Sequence, residues 1–553
     1  MSSWRSLLTL LILPACVGEL SDPRGLGPSD GPSEVPDAPD DSSAAADDAM
    51  QAANASLFDV ARKYFPGSEP AGGPKRLARL TRTQLDLTTK ALLPDYFEGS
   101  ALLALPRDPL QTNYEYSDNL GFNAANFTPY TQWVQAIAAR VQARPTAFVS
   151  CTDDACLAQQ ARRFVTRAFR HDAPEETLQR FAEQFVSSKA EVGLEAAAGE
   201  LVELSLSSPH FVFRNELTTR LTPAQQLQHL TYTLADAPPE ALGLSVTQAL
   251  DADALRQAVD KVLATPQARE KLMRFFLAWL EVREANEFTI ATDVFPEFTP
   301  TLVSAMLEET RAFLTHQLGK VSPRLKDVTQ STESFVSKAM ATIYGTKGSD
   351  QLVQLDPKQR LGIFTQPAVI ASHSGPTTTR LVKRGVFFTR KVMCLPLGLP
   401  PAGADTTVPT TPNASERQRI ESVTTAASCK GCHNFINPFG FMQENYDPIG
   451  RFRTLDEGIP IDPRISVDFL DEGPLTTASP VDALRALTGS LRFQQCFARQ
   501  LFRFYMGRDE QEGDDPTLRQ MFFGFANGDQ QDIVTMLRTL AGAPSFSRRA
   551  EVP

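Results

Sequence analysis

Cys429-Lys430-Gly431-Cys432-His433 sets two thiols three residues apart and an imidazole directly after the second. On one helical turn, thiols so spaced reach both vinyl groups along a single porphyrin edge, and the adjoining histidine becomes the proximal iron ligand. The chemistry these residues point to is covalent attachment of one haem c, with Cys429 and Cys432 as the thioether sulfurs and His433 on the iron. A Cys-x-x-Cys pair also serves thioredoxin-like redox centres and half zinc sites. Neither suits this segment. Zinc needs four ligands and no second Cys-x-x-Cys or histidine pair stands nearby, while a thioredoxin motif follows a strand in an α/β unit.

An iron held by His433 on one side needs either a sixth ligand or an open, reactive position. The chain has six histidines, and His373 lies among small residues, Ala371-Ser372-His373-Ser374-Gly375-Pro376, so it is the leading distal candidate. Met442, nine residues after His433, is a weaker one and Met393 weaker still, because a methionine more often fills a core. A ligated sixth position suits electron transfer, since ligation need not change as the iron cycles. An open one suits a peroxidase or oxygenase, for which Arg380, Arg384 and Glu444 are acid, base or electrostatic candidates, their alternative being ion pairing or packing. His171, His210, His229 and His316 read as structural or surface residues.

Haem of this type is attached outside the cytoplasm, and the N-terminus agrees. Arg5, the apolar stretch Leu7 to Leu13 and Pro14-Ala15-Cys16 form an export signal at 1–16 that resembles a lipobox, with Cys16 as the acylated cysteine. Acyl chains on Cys16 would anchor the protein to a membrane surface without a spanning helix. Residues 17–54, rich in Asp, Pro, Ser, Gly and Ala, lack the apolar content to order themselves and read as an acidic tether. Seven cysteines must be accounted for in an oxidising compartment. With Cys16 on lipid and two on haem, four remain, and the favoured pairing is Cys151–Cys156 and Cys394–Cys496. Two other pairings are possible, as is a buried free thiol at Cys394 or Cys496.

The body that must position these groups is mainly α. Apolar residues recur at three- and four-residue steps in Gln267 to Val282, through Leu272, Phe275, Phe276, Trp279 and Leu280, with similar stripes at Trp133 to Val141, Gln160 to Phe169, Ala305 to Leu314 and Phe493 to Tyr505. Punctuation at Gly72-Gly73-Pro74, Pro238-Pro239, Lys347-Gly348-Ser349 and Pro400-Pro401 marks candidate boundaries or long loops; the expected organisation is helical domains at 55–150, 151–222 and 223–350, a haem-bearing domain at 351–472 and a C-terminal helical domain at 473–553. The 553 residues, 42% apolar and 22% charged, exclude wholesale disorder, and no later apolar run nears the roughly 20 residues needed to span a bilayer. A net charge of -11 argues against nucleic acid as the main partner.

The stretch Thr424 to Arg453 holds the haem motif, Asn437-Pro438-Phe439-Gly440-Phe441, Glu444-Asn445-Tyr446-Asp447 and Gly450-Arg451-Phe452-Arg453. It resembles the haem segment of the large exported planctomycete-type cytochrome c proteins, which are assembled from several domains of unknown function. Lys383-Arg384-Gly385-Val386-Phe387 through Cys394 and Pro400-Pro401 is similar to the family's arginine-glycine segment. Phe164 to Arg170 with Ser208 to Glu216 resembles its second domain, and Phe275 to Glu309 its third. Arg79 to Leu85 with Gly121-Phe122-Asn123 is similar to its first, and Cys496 to Arg508 to its last. Two departures stand out: Asn437 where an aspartate is expected, and Arg170-His171-Asp172 where an arginine-proline pair is usual. The resemblance implies an architecture and a haem but no particular reaction. The expectation is an exported, lipid-anchored monohaem electron carrier at the outer membrane or periplasmic face of a Gram-negative bacterium. The alternatives are a haem enzyme acting on an extracytoplasmic substrate, or a cell-surface binding protein whose haem reports redox state. The redox partner or substrate is not encoded in any motif.

Overall fold

Alanine-rich Ser42–Ala53 and the amphipathic segment Ala55–Tyr64 open the described part of the computed structural model, which covers residues 42–68, 72–97, 105–111, 114–115, 120–245, 251–399, 408–409, 411–528 and 531–550. The signal segment, Cys16 and most of the expected tether lie outside these residues. The tether is shorter than its composition suggested. Alanine is the best helix former, and the resulting helix is tied down by Arg519, which pairs with Asp47 at 2.8 Å, and by Met50 packed in the core.

Helices dominate the rest, as expected, and the strands are short antiparallel pairs. Ala124–Ala143, Asp154–Ala168, Glu175–Val192 and Leu194–Ser207 pack on one another around Trp133, Ile137, Phe164, Phe185 and Leu201. Their starts are local: Asn123 accepts from the amides of Ala125 and Asn126, and Asp153 from that of Cys156, each side chain satisfying an amide that has no partner inside its helix. The Cys151–Cys156 disulfide closes the turn before the second of these helices, with Cα atoms 6.3 Å apart.

A larger cluster gathers Phe58 and Phe65 with the helices Pro266–Trp279, Leu491–Met506, Asp515–Ala526 and Ile533–Gly542. The Cys394–Cys496 disulfide ties Leu491–Met506 to the segment after Phe388–Val392, with Cα atoms 5.3 Å apart, and Trp279 Nε1 donates to the Lys391 carbonyl at 2.8 Å nearby. Both disulfides match the pairing favoured from the sequence. A third cluster, including Phe295, Met306, Val336 and Ile449, lies between residues 290 and 449.

The hydrophobic cores extend across the expected segments. One cluster runs from Leu80 to Tyr232, and the largest mixes Phe58, Leu234, Phe388 and Phe497; Ser43–Pro553 forms one compact unit. Each helix offers a single apolar stripe and buries it wherever the chain returns. A buried charge cluster adds to this. Strand Arg76–Arg79 pairs with Phe213–Glu216, and the Glu216 carboxylate receives Arg76 at 3.0 Å, Arg549 at 3.0 Å and His229 at 3.1 Å. Burial alone would raise this carboxyl, but Arg76 and Arg214 more than offset it and hold it ionised. A charge this deep is tolerable only when paired from several sides, so it ties residues near 76, 214, 229 and 549 to one geometry.

Candidate functional site

The motif occupies the first half of helix Ala427–Phe441. Only Ile436, Phe439, Gly440 and Phe441 are buried, all in the second half. Cys429, Cys432 and His433 are half-buried and share one face, because residues three and four apart lie above one another on a helix. A Cβ built at Gly431, on the opposite side of the helix, would meet no atom within 4 Å, so that side is open as well. The two motif thiols are the free cysteines among the described residues.

A hydrogen-bond chain fixes the imidazole. Thr424 Oγ1 donates to the Ile420 carbonyl at 2.8 Å, which leaves its lone pair to accept from Asn437 Nδ2 at 3.0 Å. The Asn437 carbonyl Oδ1 therefore faces His433 Nδ1 at 2.8 Å and must receive its proton. His433 is thus the Nδ1–H tautomer, and its Nε2 lone pair is left facing outward with no hydrogen bond from a described residue. That is the orientation in which a histidine ligates a metal. Asn437 figured in the sequence only as a departure from a family pattern, although its place four residues after His433 on a helix already puts it on the same face. Thr424 carried no such signal.

The second half of this helix is positioned by a close crossing. Helix Leu381–Phe387 runs antiparallel to it, with a glycine from each at the contact: a Cβ on Gly385 would lie 2.2 Å from the Ile436 carbonyl oxygen, and one on Gly440 2.4 Å from that of Leu381. A π-helical turn, Phe388–Val392, extends this helix toward the motif end. There Thr389 Oγ1 bonds the Gly385 carbonyl at 2.7 Å and reaches that of Phe435 at 3.5 Å, while Phe388 stacks on Phe439. Glu416 accepts from the Leu381 amide at 3.1 Å and so caps the crossing helix with negative charge.

Arg384, weighed from the sequence as an acid-base or electrostatic group, is a clamp. Its buried guanidinium donates to the carbonyls of Gln443, Tyr446 and Asp447 at 2.8, 2.7 and 3.2 Å and to Ser374 Oγ at 2.8 Å. Asp447 accepts from the amides of Ile449 and Arg451 at 3.0 and 2.8 Å, and Arg360 binds the Gly450 carbonyl at 2.8 Å. The familiar residues of 444–453 are therefore an ordered loop against which the motif helix ends. Glu444 is fully buried there, and burial pushes its carboxyl up to about 7.

Among the distal candidates, His373 is placed differently from its sequence reading. His373 is not free in a loop. It ends helix Pro367–Ser372, is 3% exposed, gives its Nε2 hydrogen to the Leu280 carbonyl at 2.9 Å and stacks on Phe387 at 4.0 Å between ring centres. Phe387 is two residues beyond Gly385, about 200° around the helix, so His373 sits behind the crossing helix, on the side away from the motif. Met442 and Met393 are both fully buried in the main cluster. Met393 directly follows the π-helical turn that runs toward the motif, whereas Met442 ends the motif's own helix.

Three family models match the chain in order. Residues 156–216 match PSD5, described as a protein of unknown function (DUF1595); residues 221–346 match PSD4, likewise of unknown function (DUF1592); and residues 360–456 match PSCyt3, of unknown function (DUF1588). They lie close to the expected segments 151–222, 223–350 and 351–472, the second match starting two residues earlier at 221, and the last contains both the motif and the clamped loop. No curated protein and no solved structure matches the chain.

Proposed function

Because the chain belongs to the multi-domain family of planctomycete-type cytochrome c proteins, we propose that it carries one haem c on Cys429, Cys432 and His433 and works as an exported, lipid-anchored electron carrier. The observation that carries this reading is the state of the motif. Two thiols remain unpaired beside a histidine whose Nε2 lone pair is presented outward, while the other four described cysteines are in disulfides. In an oxidising compartment, a neighbouring pair of thiols with no role of its own would be expected to close. The bare first half of the helix is a face that a flat, largely apolar group would cover.

Bound there, a haem supplies one-electron chemistry, with a potential set by its axial ligands and burial. The residues of the chain do the rest. Asn437 keeps the Nδ1 proton and orients the ring, Thr424 orients Asn437, and the Gly385–Gly440 crossing and the Arg384 clamp hold the helix that carries the thiols. Lipid on Cys16, beyond the described residues, would keep the carrier at a membrane surface, and its redox partner would be another extracytoplasmic protein.

The placement of His373 favours a second reading. With its Nε2 committed to Leu280 and its ring behind the crossing helix, it supports an iron with an open sixth position, hence a peroxidase or oxygenase. Absorption spectra decide between the two. The protein is matured in a host that attaches haem to such motifs, then oxidised and reduced beside Cys429→Ala, His433→Ala and Met393→Ala. A low-spin spectrum supports the carrier, and conversion to high spin in Met393→Ala identifies the sixth ligand. A high-spin wild type with peroxide-dependent turnover supports the enzyme. No covalent haem in the wild type refutes both.

A further inference from the structure

Behind the crossing helix, on the side away from the motif, lies a cavity of about 540 Å³ bounded by His373, Phe387, Lys383, Arg390, Leu395 and Leu397, with the Cys394 end of the disulfide at its wall. We infer that this cavity binds a small organic acid, with an anionic group at Lys383 and Arg390, a hydroxyl at His373 Nδ1 and an apolar body against Phe387, Leu395 and Leu397.

Three observations carry this. The first is the sign of the charge: four cationic side chains, Lys383, Arg390, Lys391 and Arg503, border the cavity against one carboxylate, Glu281. Arg503 is committed to Glu510 at 2.5 Å. Lys383 spends one hydrogen on the Ser372 carbonyl at 3.1 Å, and Arg390 touches only the carbonyls of Leu397 and Gly398 at 3.3 Å, so neither is neutralised by a described carboxylate in contact. Burial, with Arg283 and Arg380 close by, pushes the Lys383 ammonium down to about 8, an effect that Glu281 offsets only in part.

The second is His373. Its Nε2 donates to Leu280, so its Nδ1 is a lone-pair acceptor; this atom is buried and makes no hydrogen bond, and Glu281 is 4.0 Å away. A buried acceptor left without a donor is costly, and a ligand hydroxyl would satisfy it. The third is the wall. Val386, Phe387, Leu395 and Leu397 are apolar, and the volume falls within the roughly 300–1,000 Å³ of small-molecule sites, far larger than a bare inorganic ion needs.

The site does not depend on haem, so it is tested on the full chain without it. Titration calorimetry uses 4-hydroxybenzoate, which has all three groups, beside phenol and inorganic phosphate, which lack the anion and the apolar body. The expected result is binding of 4-hydroxybenzoate in preference to both. Lys383→Met should weaken it roughly tenfold to a hundredfold, the range for losing one charged hydrogen bond, and Lys383→Arg should restore most of it. Matching circular dichroism spectra would show that the variants fold. Absence of 4-hydroxybenzoate binding, equal affinity for phosphate, or unchanged affinity in Lys383→Met would overturn the assignment.

Discussion

The tautomer of His433 can be tested without any haem. A solvated imidazole prefers its proton on Nε2; in this protein the proton belongs on Nδ1, because Asn437 Oδ1 accepts it at 2.8 Å and the Asn437 amide is itself held the right way round by Thr424 at 3.0 Å. Replacing Asn437 by alanine removes one neutral hydrogen bond, worth about 1 kcal/mol, and should shift the tautomer ratio toward Nε2–H by roughly fivefold. Asn437→Asp substitutes a charged acceptor, about twice as strong, and should shift it the other way by a similar factor. Nitrogen NMR of selectively labelled histidine in the unloaded chain separates the two tautomers, with His433→Ala assigning the signal among six histidines. An Nε2–H ring in the wild type, or a ratio indifferent to Asn437→Ala, would refute the reasoning. In the haem-loaded protein, Asn437→Asp should also lower the midpoint potential, since an anionic partner makes the ligand more basic.

Other expectations concern the support of the site. Gly385→Ala places a methyl 2.2 Å from the Ile436 carbonyl, so the two helices must part; a loss of about 3 kcal/mol, read as a lower denaturation midpoint, is expected. Arg384→Met abandons three backbone carbonyls and should expose the 443–447 loop to proteolysis while the helices of residues 124–207 stay resistant. Stability should peak on the acid side of neutrality. Burial raises Glu309 to about 7, only partly offset by Ser334 and Tyr344, so its contribution is full below pH about 4.5 and is lost as pH rises through 7. Glu309→Gln should then remove about 3 kcal/mol of that alkaline loss, and an unchanged slope between pH 5 and 8 would count against it. Asp236 behaves oppositely. Burial would raise it, but Lys271 and Arg274 hold it at about 2, so its contribution exists above pH about 4 and disappears as pH falls through 2.

What could be read from the chain was whatever local rules govern. Helical stripes such as Leu272, Phe275, Phe276 and Trp279 follow from the 3.6-residue period, and the caps at Asn123 and Asp153 from side chains that reach their own helix. Cys429, Cys432 and His433 stand on one face for the same reason. The two disulfides match the favoured pairing of the four cysteines not assigned to lipid or haem, although three pairings were open from the sequence. Features beyond those local rules involve distance along the chain. Phe58 and Phe497 share a core across more than four hundred residues, and part of the expected tether is a helix held by Arg519 reaching back to Asp47.

By itself the sequence determined the helical class and the spacing of the motif's thiols and imidazole, because a helix imposes that spacing from within five residues. Only the tertiary structure decided that His373 lies behind the crossing helix with its Nε2 taken, that Arg384 is a clamp and that cations gather around an apolar cavity. Each of these depends on which helices cross and at what separation. That is settled by two glycines, 385 and 440, meeting backbone to backbone in a contact no local pattern announces.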